Sequence, residues 1–125
     1  DYNELSKKLS SIDYSKLRKG IIHGDLTEVN ILQHNNKFSG FIDFAYSYKY
    51  YLVMDLGHYI ANCIIKPEWI KDFFKEYKKI MKLKAEEKKA LYYFIKINLL
   101  RKDHLTRDSY PIFNKLSLKD FMKLY

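Results

Sequence analysis

The chain has 125 residues, a formal net charge of +8, and a residue content that is 47% hydrophobic. That length suits one domain or part of one, and that apolar share supports a real core and excludes a disordered chain. The lone Cys63 excludes an internal disulfide and a paired-cysteine metal site.

In chain order, Leu5, Leu9, Ile12 and Leu17 stand among charges. They predict a modest amphipathic helix over 2–18 that breaks near Ser10-Ser11 or Asp13. Gly20 is expected to allow a sharp turn into Ile21-Ile22. Two short strands are expected over Val29–Leu32 and Lys37–Ile42, joined through His34-Asn35-Asn36, because Asn tolerates positive φ. Such a hairpin sets Asn30 near the start of one strand and Asp43 just past the end of the other. The two side chains are thereby brought together.

The rest of the chain reads as helix. Leu52, Leu56, Tyr59, Ile60 and Cys63 share one helical face over 52–65, which makes Cys63 a buried thiol. Pro67 opens the next helix, along which Trp69, Ile70, Phe73, Phe74, Tyr77, Ile80 and Met81 recur every three or four positions. A third helix over 84–102 is apolar on nearly all sides and belongs in the middle of a bundle. Pro111 ends a loop, and Ser117 is placed to cap a short final helix over 116–124. Residues 66–89 carry nine Lys against five acids, which reads as a solvated face. No nucleic-acid motif accompanies the charge, so nucleic acid is not an expected partner. No apolar run approaches the roughly 20 residues of a membrane span, and no leader pattern opens the chain. A cytoplasmic location without membrane contact is expected.

Chemistry concentrates in His23-Gly24-Asp25, Asn30 five positions after Asp25, and Ile42-Asp43-Phe44. Apolar pairs flank these polar residues, an arrangement that holds carboxylates and an amide at the rim of a core. Phosphoryl transfer needs such a set: one carboxylate to orient the attacking hydroxyl, and a second carboxylate with an amide to hold magnesium on the phosphates. The remaining histidines, His34, His58 and His104, lack the mutual spacing of a metal site.

These residues resemble the catalytic loop and metal-binding segment of aminoglycoside phosphotransferase-like small-molecule kinases. Ile21-Ile22-His23-Gly24-Asp25-Leu26 with Phe38-Ser39-Gly40-Phe41-Ile42-Asp43-Phe44 most resembles the type II homoserine kinases among them. Asp55-Leu56 with Ala61-Asn62-Cys63 extends the likeness, and Leu118–Met122 resembles the closing helix of the family. The combination is specific where any one tripeptide is not.

The resemblance implies an α+β, mostly helical fold, the C-terminal lobe of a kinase-like protein, spanning residues 1–125 as one unit. It implies ATP as phosphoryl donor, Mg2+ as cofactor, and a small-molecule substrate, homoserine or another small alcohol. Asp25 would position the substrate hydroxyl and accept its proton, and Asn30 and Asp43 would hold magnesium on the ATP phosphates. His23 and Asp55 would support the loop, Asp55 as an acceptor for backbone N–H groups. Ala45 follows Phe44, unlike the Asp-Phe-Gly of protein kinases, and Thr27-Glu28-Val29 departs from the proline-containing stretch usual in the family. Only 22 residues precede His23, too few for the N-terminal lobe with its nucleotide-covering loop and phosphate lysine. The chain is therefore expected to be a fragment, half of a split protein, or a remnant, with that lobe as its missing partner. The alternative is a non-catalytic remnant or interaction module that keeps the fold.

Overall fold

The computed structural model describes residues 2–63, 67–102 and 116–124. The first helix, α1 (Tyr2–Ser10), stops at the serines, and a 3-10 turn follows at Tyr14–Lys16. Asp13 caps that turn by accepting from the Ser15 N–H at 3.2 Å. An Asp side chain competes with a helical backbone for its own neighbours' N–H groups, which is why the helix does not run through.

Strand β1 (Lys19–Ile22) comes next, then the loop that carries Asp25, then β2 (Ile31–His34) and β3 (Lys37–Phe41). β2 and β3 form the expected hairpin, with His34 opposite Lys37. Asn35 and Asn36, at φ 50° and 58°, supply the two left-handed residues of a type I′ turn. Val29 lies outside the hairpin, in a 3-10 turn at Glu28–Asn30.

A fourth strand, β4 (Tyr48–Tyr51), pairs antiparallel with β1. Its tyrosines and lysine lack the apolar alternation that marks a strand, so only the pairing reveals it. This pairing also corrects the turn expected at Gly20, which lies inside β1 opposite Tyr50. Its role there is close approach: a Cβ at Gly20 would come within 2.8 Å of Leu52 Cδ2.

Three helices build the core: α2 (Leu52–Cys63), α3 (Pro67–Ile80) and α4 (Ala85–Lys102), and α5 (Leu118–Leu124) closes it. α4 lies in the middle, with buried residues from Ala90 through Ile95 and again at Leu99. The buried face of α2 is Val53, Leu56, Gly57, Ile60 and Ala61. It is rotated from the expected face, and Cys63 is only half-buried. The small residues allow the rotation: a Cβ at Gly57 would sit 2.9 Å from Phe94 Cβ, so the bare backbone lets α2 and α4 approach closely. On α3 the buried residues are Ile70 and Phe74, whereas Ile80 at its end is 91% exposed. Lys71, Lys75, Lys78 and Lys79 are all exposed, the solvated face that the charge pattern implied. Ser117 caps α5, accepting from the Asp120 N–H at 3.1 Å and donating to the Asp120 carboxylate at 2.6 Å. Phe121 fixes α5 edge-on against Phe74, ring centres 5.7 Å apart. The Pro111 loop and His104 lie outside the described residues.

One buried ion pair ties the chain before β1 to the start of α4. Glu87 is 1% exposed, and its carboxylate accepts from Arg18 Nε at 2.7 Å, Arg18 Nη2 at 2.6 Å and the Arg18 backbone N–H at 3.2 Å. It also accepts from the Lys84 N–H at 2.9 Å, satisfying a donor that the helix N-terminus leaves open. Burial pushes the Glu87 carboxyl up, but the hydrogen bonds from Arg18 and Lys84 outweigh it and hold the group below its ordinary range.

Candidate active site

Helix α2 and the hairpin hold the His23–Asn30 loop from two sides. Asp55, in the first turn of α2, accepts from the His23 N–H at 2.6 Å and the Gly24 N–H at 3.0 Å. A carboxylate spent on two backbone donors fixes the chain direction at the point where β1 ends. Gly24 takes φ 82°, and any Cβ there would stand 2.2 Å from the Tyr46 carbonyl oxygen. Only glycine meets both conditions.

His23 is buried and bonded at both ring nitrogens. The Asp25 N–H donates to Nδ1 at 3.3 Å, so the proton is on Nε2, which donates to the Ile42 carbonyl at 2.8 Å. The ring thereby couples the loop to the far end of the hairpin. Phe44 packs beside it with ring centres 4.7 Å apart.

Asn30 is buried, and its Nδ2 donates to the Asp25 backbone oxygen at 2.8 Å and to Asp25 Oδ2 at 3.1 Å. These bonds commit the NH2 group to Asp25 and leave the amide oxygen as the atom that Asn30 offers a cation. The Asn30 carbonyl accepts from the Ile42 N–H at 3.1 Å, so the backbone of Asn30 is bonded directly to the residue preceding Asp43. Asp43 itself is exposed and left-handed, φ 61° and ψ 64°, and its side chain makes no cap bond to the turn that follows. A non-glycine residue in that conformation costs on the order of 1–2 kcal/mol and clusters at functional sites.

Of the residues singled out in the sequence, His23, Asp25, Asn30 and Asp55 are thus joined by direct hydrogen bonds. Asp43 joins them through the backbone at Ile42. Among the described residues no group of three His, Cys, Asp or Glu side chains could hold a metal ion.

The structure adds a residue that spacing did not single out. His58, one turn beyond Asp55 on α2, brings Nε2 to 3.5 Å from Asp25 Oδ1. It also lines a cleft of about 390 Å³ together with Gly24, Tyr48, Met54, Asp55, Asn62 and Asn98. Among the described residues the lining contains no Lys or Arg, although the chain as a whole is strongly basic. A sequence signal existed in the spacing of Asp55, His58 and Asn62, which places all three along one stripe of a helix.

Residues 2–91 match the model of the phosphotransferase enzyme family, and the chain belongs to that family. A homoserine kinase from Methylobacillus flagellatus is 28% identical over 97 residues, covering 73% of this chain and 30% of the relative. The solved structure of the amicoumacin kinase hAmiN in complex with AMP-PNP, Ca2+ and Ami shares the fold, with a TM-score of 0.53 at 19% identity. That likeness covers 98% of this chain and 42% of the neighbour. The chain therefore spans less than half the length of either protein. The fold is kinase-like and mostly helical, with two small antiparallel sheets among the described residues. Among the described residues no helix is long and apolar enough to cross a membrane.

Proposed function

We propose that this chain is the C-terminal lobe, residues 1–125, of an ATP-dependent kinase that phosphorylates a small-molecule hydroxyl, with homoserine as the expected substrate. The observation that carries the proposal is the bonding of Asn30 to both the backbone and the carboxylate of Asp25, in a loop anchored by Asp55. An aspartate held beside an amide at the rim of a core is what phosphoryl transfer by positioning requires.

Asp25 is assigned the acceptor hydroxyl: its carboxylate orients the oxygen and takes the proton as the phosphoryl group arrives. Oxygen donors suit a hard cation, and Mg2+ is usually held by one or two protein ligands while phosphates and waters complete the shell. The Asn30 amide oxygen and the exposed Asp43 carboxylate fit that pattern. When bound, Mg2+ would neutralise charge on the ATP phosphates. An N-terminal lobe would complete the nucleotide site with its covering loop and lysine. His23 and Asp55 keep the loop in shape without touching the reactants. A cytoplasmic setting, where ATP and small alcohols are both present, fits this reading.

The test is turnover by the intact protein with ATP, Mg2+ and homoserine or a panel of small alcohols, following ADP release and the phosphorylated product. Asp25→Asn is expected to lower kcat by roughly 100-fold or more while nucleotide affinity holds. Asp43→Asn is expected to weaken magnesium–nucleotide binding first, because it removes a charged ligand. Equal losses in both parameters for both variants would refute this division of roles.

A further inference from the structure

Asp25 has two carboxylate oxygens, and the loop secures only one of them. Oδ2 accepts from Asn30 Nδ2 at 3.1 Å. Oδ1 faces His58 Nε2 at 3.5 Å. The two side chains are 39% and 29% exposed respectively, but the Nε2 atom itself is buried, and at 3.5 Å its approach to Oδ1 falls short of a hydrogen bond. A polar contact away from water is stronger than one in it. The backbone at His58 is held within α2, its carbonyl accepting from Asn62 Nδ2 at 2.7 Å, and three residues earlier Asp55 holds the His23 and Gly24 backbone. One helix thus meets the loop twice, at the backbone through Asp55 and at the Asp25 carboxylate through His58.

We infer that His58 is a positioning residue for the proposed phosphoryl transfer, donating from Nε2 to Asp25 Oδ1 so that Asn30 and His58 together fix the plane of the carboxylate. The inference rests on the phosphotransferase reading of Asp25. The physical reason is orientation. A carboxylate held at one oxygen still swings about χ1 and χ2, and misplacement of a reacting group by about 1 Å can cost 100-fold in rate. Catalytic hydrogen bonds are often long before substrate binds and shorten in the complex, which fits a separation of 3.5 Å. His58 also lines the cleft beside Gly24, so the imidazole faces both that cleft and the Asp25 carboxylate. Among the described residues the charged groups near the imidazole are Asp25 from the loop and Asp55 on its own helix, and β4 and α4 contribute the neutral Tyr48 and Asn98 to the same cleft.

Two measurements on the intact protein test this. In the first, the imidazole of His58 is titrated by 15N NMR in the wild type and in Asp25→Asn. Removing the facing negative charge should move the titration midpoint downward, and an unchanged midpoint would overturn the contact. In the second, His58→Leu, His58→Gln and Asp25→Asn are compared in turnover with ATP, Mg2+ and homoserine. His58→Leu should lower kcat about 10- to 100-fold with little change in nucleotide KM. His58→Gln, whose amide NH2 can occupy the place of Nε2, should restore most of the loss. A His58→Leu variant with wild-type kcat overturns the inference alone if Asp25→Asn is inactive. If Asp25→Asn keeps wild-type turnover, or the wild type has none, the phosphotransferase reading fails and the inference fails with it, whatever the titration shows.

Discussion

Replacing Glu87 by Gln changes the shape of the side chain hardly at all and removes its charge. Four N–H donors converge on the carboxylate, two on each oxygen: Arg18 N and Nε on Oε1, Arg18 Nη2 and Lys84 N on Oε2. An amide has one oxygen, so whichever way it turns, its NH2 group faces two donors that had shared a carboxylate oxygen, although Arg18 Nη2 keeps the Lys82 carbonyl at 2.9 Å as a second acceptor. The Arg18 guanidinium also loses the Glu87 carboxylate at 2.6 Å, at a site where Glu87 is 1% exposed and Arg18 34%. Breaking a fully buried pair by removing one partner costs about 3–5 kcal/mol; water reaching the one-third exposed Arg18 puts this case at the lower end, still a large part of the roughly 5–15 kcal/mol that holds a domain folded. Urea unfolding followed by circular dichroism should therefore show a much lower midpoint at an unchanged slope. The pH dependence gives a second check. The Glu87 carboxyl titrates below its ordinary value in the folded protein. Its contribution is fully present above the unfolded value of about 4.3 and is lost as pH falls through the lower folded value. The wild type should lose stability across that acid window, and the variant should lack that part of the slope. Replacing both partners by apolar residues, Arg18→Met with Glu87→Leu, should recover much of the loss. A loss below about 1 kcal/mol for Glu87→Gln, the value of an exposed pair, would refute the reasoning.

Gly24→Ala should destabilise the protein by about 2 kcal/mol or more, since a left-handed φ and a clash with the Tyr46 carbonyl add together; thermal unfolding checks this, and an unchanged Tm would show that the loop relaxes freely. Asn36→Gly should raise stability by up to about 1 kcal/mol, because Asn-Gly is the favoured pair in a type I′ turn. A lower urea midpoint for that variant would mean that the Asn36 side chain contributes something beyond its tolerance of positive φ.

The helices, the hairpin and the course of the loop were legible in the sequence because each is encoded locally. The three-and-four spacing along 67–81 and the all-round apolar run after Lys84 specify helices by period alone. His34-Asn35-Asn36 specifies a turn by backbone tolerance, and the hairpin that follows brings Asn30 beside Ile42, the residue before Asp43. The serine before α5 is a cap whose partner lies three residues away. Family membership followed from the same short window, because the spacing of His23, Asp25, Asn30 and Asp43 is itself the signature.

The tertiary structure decided what depends on residues distant in the chain. Strand β4 exists only because β1 pairs with it, and its run of Tyr48-Lys49-Tyr50-Tyr51 shows no period of its own. Gly20 reads as a turn in isolation and proves to be the bare surface on which Leu52 rests. The inward face of α2 was set by where Gly57 lets Phe94 approach, a contact 37 positions apart, and not by hydrophobicity, which ranks Leu52 and Cys63 above glycine. Glu87 pairs with Arg18 across 69 positions, and His58 faces Asp25 across 33. Local sequence shows that each such group is polar; which of them meet is fixed by how the helices pack, since the partner of a buried charge is whatever the fold brings within hydrogen-bond reach.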